Sequence, residues 1–149
     1  MGLEEFHRVI KPGGYLTVLW NPRDVEASPL HQKIDSLVGG MIPELKRVSS
    51  GHAKNTRDWT RELTATGKFD EVVFMEARHE IVMTRERYLG VWRSVNDIQA
   101  QAGPKRFSEI LDAIRETIAP LPEIVVPYKT RAWTARRTGD SGSVATKAP

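Results

Sequence analysis

Leu3, Phe6, Val9 and Ile10 recur at the spacing of one helix face, while Glu4 and Arg8 sit four apart on the other side. Residues 3–10 therefore read as a short amphipathic helix, ended by Lys11-Pro12-Gly13-Gly14. Tyr15-Leu16-Thr17-Val18-Leu19-Trp20 is a near-continuous apolar run that predicts a strand covered on both faces, terminated at Asn21-Pro22. Ser28 followed by Pro29 gives a capping residue and a proline at the first helical position, and Leu30, Ile34, Leu37, Val38 and Met41 form the stripe of the next helix. The pattern breaks around Gly51, after which Thr56 is placed to cap a helix carrying Trp59 and Leu63 that stops at Gly67. A second strand is expected over 69–81. Thr84 caps a segment with Tyr88, Leu89, Trp92 and Val95, and a further helix follows Gly103-Pro104 with Phe107, Ile110, Leu111, Ile114 and Ile118. Pro120 and Pro122 end it, and residues 124–136, β-branched and aromatic with Pro127 near their start, predict the last strand.

These elements make an α/β protein of one domain over residues 1–137, followed by a small, polar stretch, 138–149, expected to be disordered. The 149 residues, 40% hydrophobic and 28% charged, suit a single globular unit. The 22 basic against 19 acidic side chains leave +3, which lacks the concentrated positive field of a nucleic-acid binder. Cysteine is absent, which removes disulfides, thiol nucleophiles and thiolate metal sites and fits a reducing compartment, so a cytoplasmic location is expected. No run approaches the roughly 18 apolar residues of a membrane span, so no membrane partner is expected. His7, His31, His52 and His79 lack metal-ligand spacing, and none is assigned a ligand role. His52, in a loop, has the chemistry of a base but no nameable partner, and Arg131, Arg136 and Arg137 read as a solvated strand end.

Particular residues say more than the pattern does. The segment Glu5-Phe6-His7-Arg8-Val9-Ile10-Lys11-Pro12-Gly13-Gly14-Tyr15-Leu16 resembles the passage from fourth helix to fifth strand of class I S-adenosylmethionine-dependent methyltransferases. Arg57-Asp58-Trp59, Gly67-Lys68-Phe69 and Val126-Pro127-Tyr128-Lys129-Thr130-Arg131 resemble, in order, the later part of a small-molecule subgroup, so the likeness runs to about Arg137. The resemblance implies a partial Rossmann-like fold: a small three-stranded mixed sheet of the family's strands five, seven and six, with helices on its faces. It also implies S-adenosylmethionine as cofactor and a small-molecule acceptor as partner. Yet no Gly-x-Gly occurs in the sequence, although the family cradles the cofactor on such a loop after its first strand, so no cofactor-binding residue is assigned and binding by this chain alone is not expected.

In open α/β sheets ligands gather beyond the C-terminal ends of parallel strands, which makes Trp20, Asn21 and Arg23 candidate substrate-pocket residues. Trp20 would form an apolar wall, Asn21 would orient an acceptor, and Arg23 would pair with a carboxylate or phosphate. The plainer alternatives are a core tryptophan, a simple turn and a solvated arginine. Tyr88 and Trp92, on one helical face, resemble the family's pocket-closing insertion or form an ordinary hydrophobic stripe. No catalytic residue is named.

Three functional readings follow: a truncated methyltransferase, inactive alone; a non-catalytic interaction module; and a mis-started reading of a longer gene. In the second, the open edge of Tyr15–Trp20 pairs with another copy to give a homodimer, or with a separate cofactor-binding chain.

Overall fold

A computed structural model of the chain describes residues 2–46 and 57–139. Helix α1 (Gly2–Val9) leads through the Pro-Gly-Gly turn into strand β1 (Tyr15–Trp20), and after a short 3-10 turn comes α2 (Pro29–Met41). Then follow α3 (Trp59–Thr64), β2 (Phe69–Met83), α4 (Arg85–Arg93), α5 (Asn96–Ile118) and β3 (Ile124–Arg137). The break at Gly51, His52, the Thr56 cap and the tail beyond 139 lie outside the described residues.

The helix starts are set by side chains that satisfy otherwise unpaired amides. Ser28 Oγ accepts from the His31 amide, Asp58 Oδ1 from Thr60 at 2.9 Å, and Thr84 Oγ1 from Arg87 at 3.2 Å. Asp58, rather than the expected Thr56, caps α3, because its carboxylate sits at the last extended residue before Trp59. In α5 the backbone of Gly103 turns to φ 74° and ψ 168°, a positive φ that glycine adopts freely, so the helix is broken just before Pro104. The α4 segment also ends sooner than the Val95 stripe predicts, at Arg93, with Ser94 Oγ donating back to the Val91 carbonyl at 2.7 Å.

The strand order is β1-β3-β2, with the last strand in the middle. β1 runs antiparallel to β3, Tyr15 facing Arg136 and Trp20 facing Arg131. Across to β2, His79 stacks on Tyr128, Arg131 binds Glu76 and Arg136 binds Glu71, so partners on β2 descend as β3 advances. The sheet is thus antiparallel throughout rather than mixed, because central β3 opposes both neighbours. β1 is covered on one face only, correcting the expectation of two: Leu16 is buried, whereas Tyr15, Thr17 and Leu19 are exposed and Thr17 Oγ1 meets Thr134 Oγ1 at 3.0 Å.

The chain forms two compact units. The first comprises the described residues of 1–20, 57–76 and 131–149, and its core joins Leu16, Leu63, Phe69, Trp133 and Ala135. Glu4 pairs there with Lys68 and not with Arg8, which instead binds Glu5 at 2.5 Å. Arg137 is not a solvated strand end but buried, its Nε donating to the His7 carbonyl at 2.8 Å, while Arg131 and Arg136 pair with glutamates of β2.

The second unit holds 21–56 and 77–130, of which 47–56 are not described. Its core gathers Ile34, Val38, Tyr88, Trp92, Ile110, Ile114 and Ile124 among others. Among the described residues no helix is long and apolar enough to cross a membrane.

Candidate functional site

Two places concentrate the candidate residues, one in each unit. In the first unit a cleft of about 590 Å³ opens among Leu3 and Phe6 of α1, Val18 and Trp20 of β1, and Trp59 of α3. Trp20 and Trp59 stack with ring centroids 6.2 Å apart and planes 23° from parallel. Trp20 lines this cleft, its Nε1 buried and without a hydrogen-bond partner among the described residues. Arg57 and Glu62, paired at 3.4 Å, add charge to the same lining.

In the second unit, residues just after β1 are tied to β3. The Asp24 amide donates to the Pro127 carbonyl at 2.8 Å and the Lys129 amide to the Pro22 carbonyl at 2.9 Å, flanking an antiparallel bridge between Arg23 and Tyr128. Pro22 interrupts the strand without ending the pairing, so residues 21–24 stay hydrogen-bonded to β3 where Asn21-Pro22 suggests a plain turn. Asn21 is exposed and its Oδ1 accepts from Thr130 Oγ1 at 2.9 Å.

Arg23, Tyr88 and Trp92 come together. The Arg23 guanidinium lies 4.8 Å from the centroid of the Trp92 ring, a cation–π contact, and Tyr88 meets Trp92 edge-on at 6.5 Å. His31, which the sequence assigns no ligand role, belongs to this group, its ring 5.7 Å from that of Tyr88. It is found on the buried stripe of α2, three residues before Ile34 and seven before Val38, a spacing that the sequence does contain. Burial, with the Arg23 charge second, lowers the His31 pKa to about 4, so the ring is neutral at pH 7. Burial raises the Tyr88 phenol, and the neighbouring Trp92 and Arg23 oppose that rise.

The cofactor implied by the resemblance can be tested against the strand-to-helix junctions, where the family places its glycine cradle. β1 is followed by Asn21-Pro22-Arg23 and β2 by Thr84, which caps α4 directly. Of the described glycines, Gly13 and Gly14 form the turn into β1, and Gly14 is packed so tightly that a Cβ would meet Ile10 Cγ2 at 2.7 Å. None lies between a strand end and a following helix, so the described residues do not fit the nucleoside and no catalytic step is derived through it. Among the described residues no group of three or more His, Asp or Glu side chains could hold a metal ion.

Compared with known proteins, the chain matches no family model and no curated protein.

Proposed function

We propose that these residues form the acceptor-side half of an S-adenosylmethionine-dependent methyltransferase acting on a small molecule. The cofactor cradle would lie outside them, in the same gene product or a separate polypeptide. The observation that carries this reading is apolar surface left uncovered where the remaining strands would pack. Helix α1 is amphipathic yet buries none of its residues, Val9 is 58% exposed and Phe6 45%, and Tyr15 and Leu19 stand out from β1. The strand order agrees with the reading: β1, β3 and β2 would correspond to strands five, seven and six of the family, with the seventh antiparallel between its neighbours. Methyl transfer needs an acceptor held in line in a dry pocket, and Arg23, Tyr88 and Trp92 of the second unit offer apolar walls and one cation for that purpose. By itself the chain would be inactive.

Reading the nucleotide sequence upstream of Met1 in all frames tests this. A strand followed by a Gly-x-Gly loop within roughly 100 residues, the length of the four strands the resemblance leaves out, is the expected finding. Its absence there and in any co-purifying polypeptide overturns the reading.

A second reading, an interaction module without catalysis, draws on the same surface. β1 is hydrogen-bonded to β3 alone among the described strands, so its other edge offers unpaired backbone groups to a second copy of the chain. Light scattering separates the two, since this reading requires a stable homodimer and a monodisperse monomer contradicts it.

A further inference from the structure

β1 is bonded along one edge only among the described strands, and its outer edge opens into the cleft of the first unit. In an antiparallel ladder successive residues turn their N–H and C=O alternately toward and away from a given neighbour. The Arg137 amide donates to the Gly14 carbonyl at 2.7 Å, and β1 then pairs with β3 in unbroken register from Tyr15 to Trp20. Leu16, Val18 and Trp20 therefore bond to β3, whereas Tyr15, Thr17 and Leu19 turn both backbone groups outward. The 3.0 Å approach of Thr17 Oγ1 to Thr134 Oγ1 agrees, because side chains come closest in the pairs whose backbones point apart. The N–H and C=O groups of three residues thus lie along an edge that no described strand covers.

The cleft gives that edge a receptor for side chains. Leu16 and Val18, on the core face of β1, line it with Leu3 and Phe6 of α1 and Trp59 of α3. Its charged members already have partners, Glu4 in Lys68 and Arg57 in Glu62 at 3.4 Å, so the lining calls for no countercharge. The strand from Tyr15 to Trp20 carries no charge either, although charge is the usual guard of an open edge. A strand laid about 4.8 Å from β1 turns every second side chain into this space. Antiparallel self-pairing would bring α1 and α3 of both copies onto one face of the joined sheet, over the same cleft. A segment without such helices suits the site better than a second copy.

We propose that the β1 edge and the cleft together accept a bare extended polypeptide segment, uncharged where it lies opposite Tyr15 to Leu19 and apolar at alternate positions. Its backbone bonds to Tyr15, Thr17 and Leu19, and its apolar side chains enter the cleft beside Phe6 and Trp59. The proposal rests on the reading that further polypeptide completes these residues, and it names how that polypeptide is held, by a strand on this edge.

The probe is a peptide blocked at both ends, Lys-Val-Thr-Val-Thr-Val-Lys, added to the ¹⁵N-labelled chain. Hydrogen exchange at the Tyr15, Thr17 and Leu19 amides should slow at least about tenfold at saturation, while the Leu16 and Val18 amides, already bonded to β3, change little. Methylating the peptide's internal amides, or replacing its valines by glutamates, should weaken binding at least about tenfold. The proposal is overturned if no saturable change occurs, if Leu16 and Val18 respond in place of their neighbours, or if either altered peptide binds as well. It is also overturned if the chain alone is a dimer by light scattering with those three amides already protected, which would assign the edge to a second copy. The search upstream of Met1 for Gly-x-Gly has its own outcome, so this proposal and the reading it rests on can fail separately.

Discussion

Lys129 Nζ stands 3.3 Å from Asp24 Oδ2, and both side chains are almost wholly withdrawn from solvent. The pair joins the segment after β1 to β3 where Pro22 has interrupted the strand, beside the Asp24 amide bond to Pro127. Removing one member of a buried pair leaves the other charge without compensation, whereas removing both leaves neither. Asp24→Ala should therefore lower stability by about 3 kcal/mol, while Asp24→Leu with Lys129→Met should recover most of that loss. Urea unfolding of the single and double variants checks it, and a double variant no better than the single would refute it.

The depressed pKa of His31 has a sign that can be followed. Folded, the ring titrates near 4, below the 6.5 of the unfolded chain, so the unfolded state binds the extra proton first as pH falls. The stability due to the neutral, buried ring is complete above about pH 6.5 and drains away between there and about pH 4, by roughly 2–3 kcal/mol. His31→Gln should flatten the dependence of unfolding free energy on pH across that window. An equally steep dependence in the variant would show that other groups carry it.

Gly13 and Gly14 are needed for different reasons. Gly13 has φ +72°, which costs another residue about 1 kcal/mol, and nothing lies closer than 4.0 Å to its would-be Cβ. At Gly14 a Cβ would press on Ile10 Cγ2 at 2.7 Å and on the Lys11 carbonyl at 2.9 Å, so backbone must move. Gly14→Ala should be the more damaging, by about 1–3 kcal/mol, and Gly13→Ala the milder. Denaturation midpoints at unchanged slope measure both.

Much of the fold was legible because its punctuation is local. Pro12-Gly13-Gly14, Ser28-Pro29, Thr84 and Gly103-Pro104 each act on their own turn of chain, and the strands and helices fall close to where these residues place them. What escaped depended on partners distant in sequence. Nothing near Asp24 announces Lys129, and nothing near Arg137 announces the His7 carbonyl. β1 looked doubly covered because its apolar run continues through Leu19, yet no described element covers that outward face. Of the candidate residues, Arg23, Tyr88 and Trp92 meet as a group, whereas Trp20 joins Trp59 in the other unit and Asn21 is engaged with Thr130. Metal-ligand spacing says nothing of His31, whose environment is the Ser28 helix cap and the Tyr88 ring.

The central proposal is that these residues carry the acceptor side of a methyltransferase whose cofactor cradle would lie outside them. Calorimetric titration with S-adenosylmethionine tests it most directly, on the chain alone and on the chain joined to a polypeptide that carries the Gly-x-Gly cradle. The account predicts no saturable uptake by the first and micromolar uptake by the second. Saturable micromolar binding by the chain alone, or none by the joined pair, would contradict it.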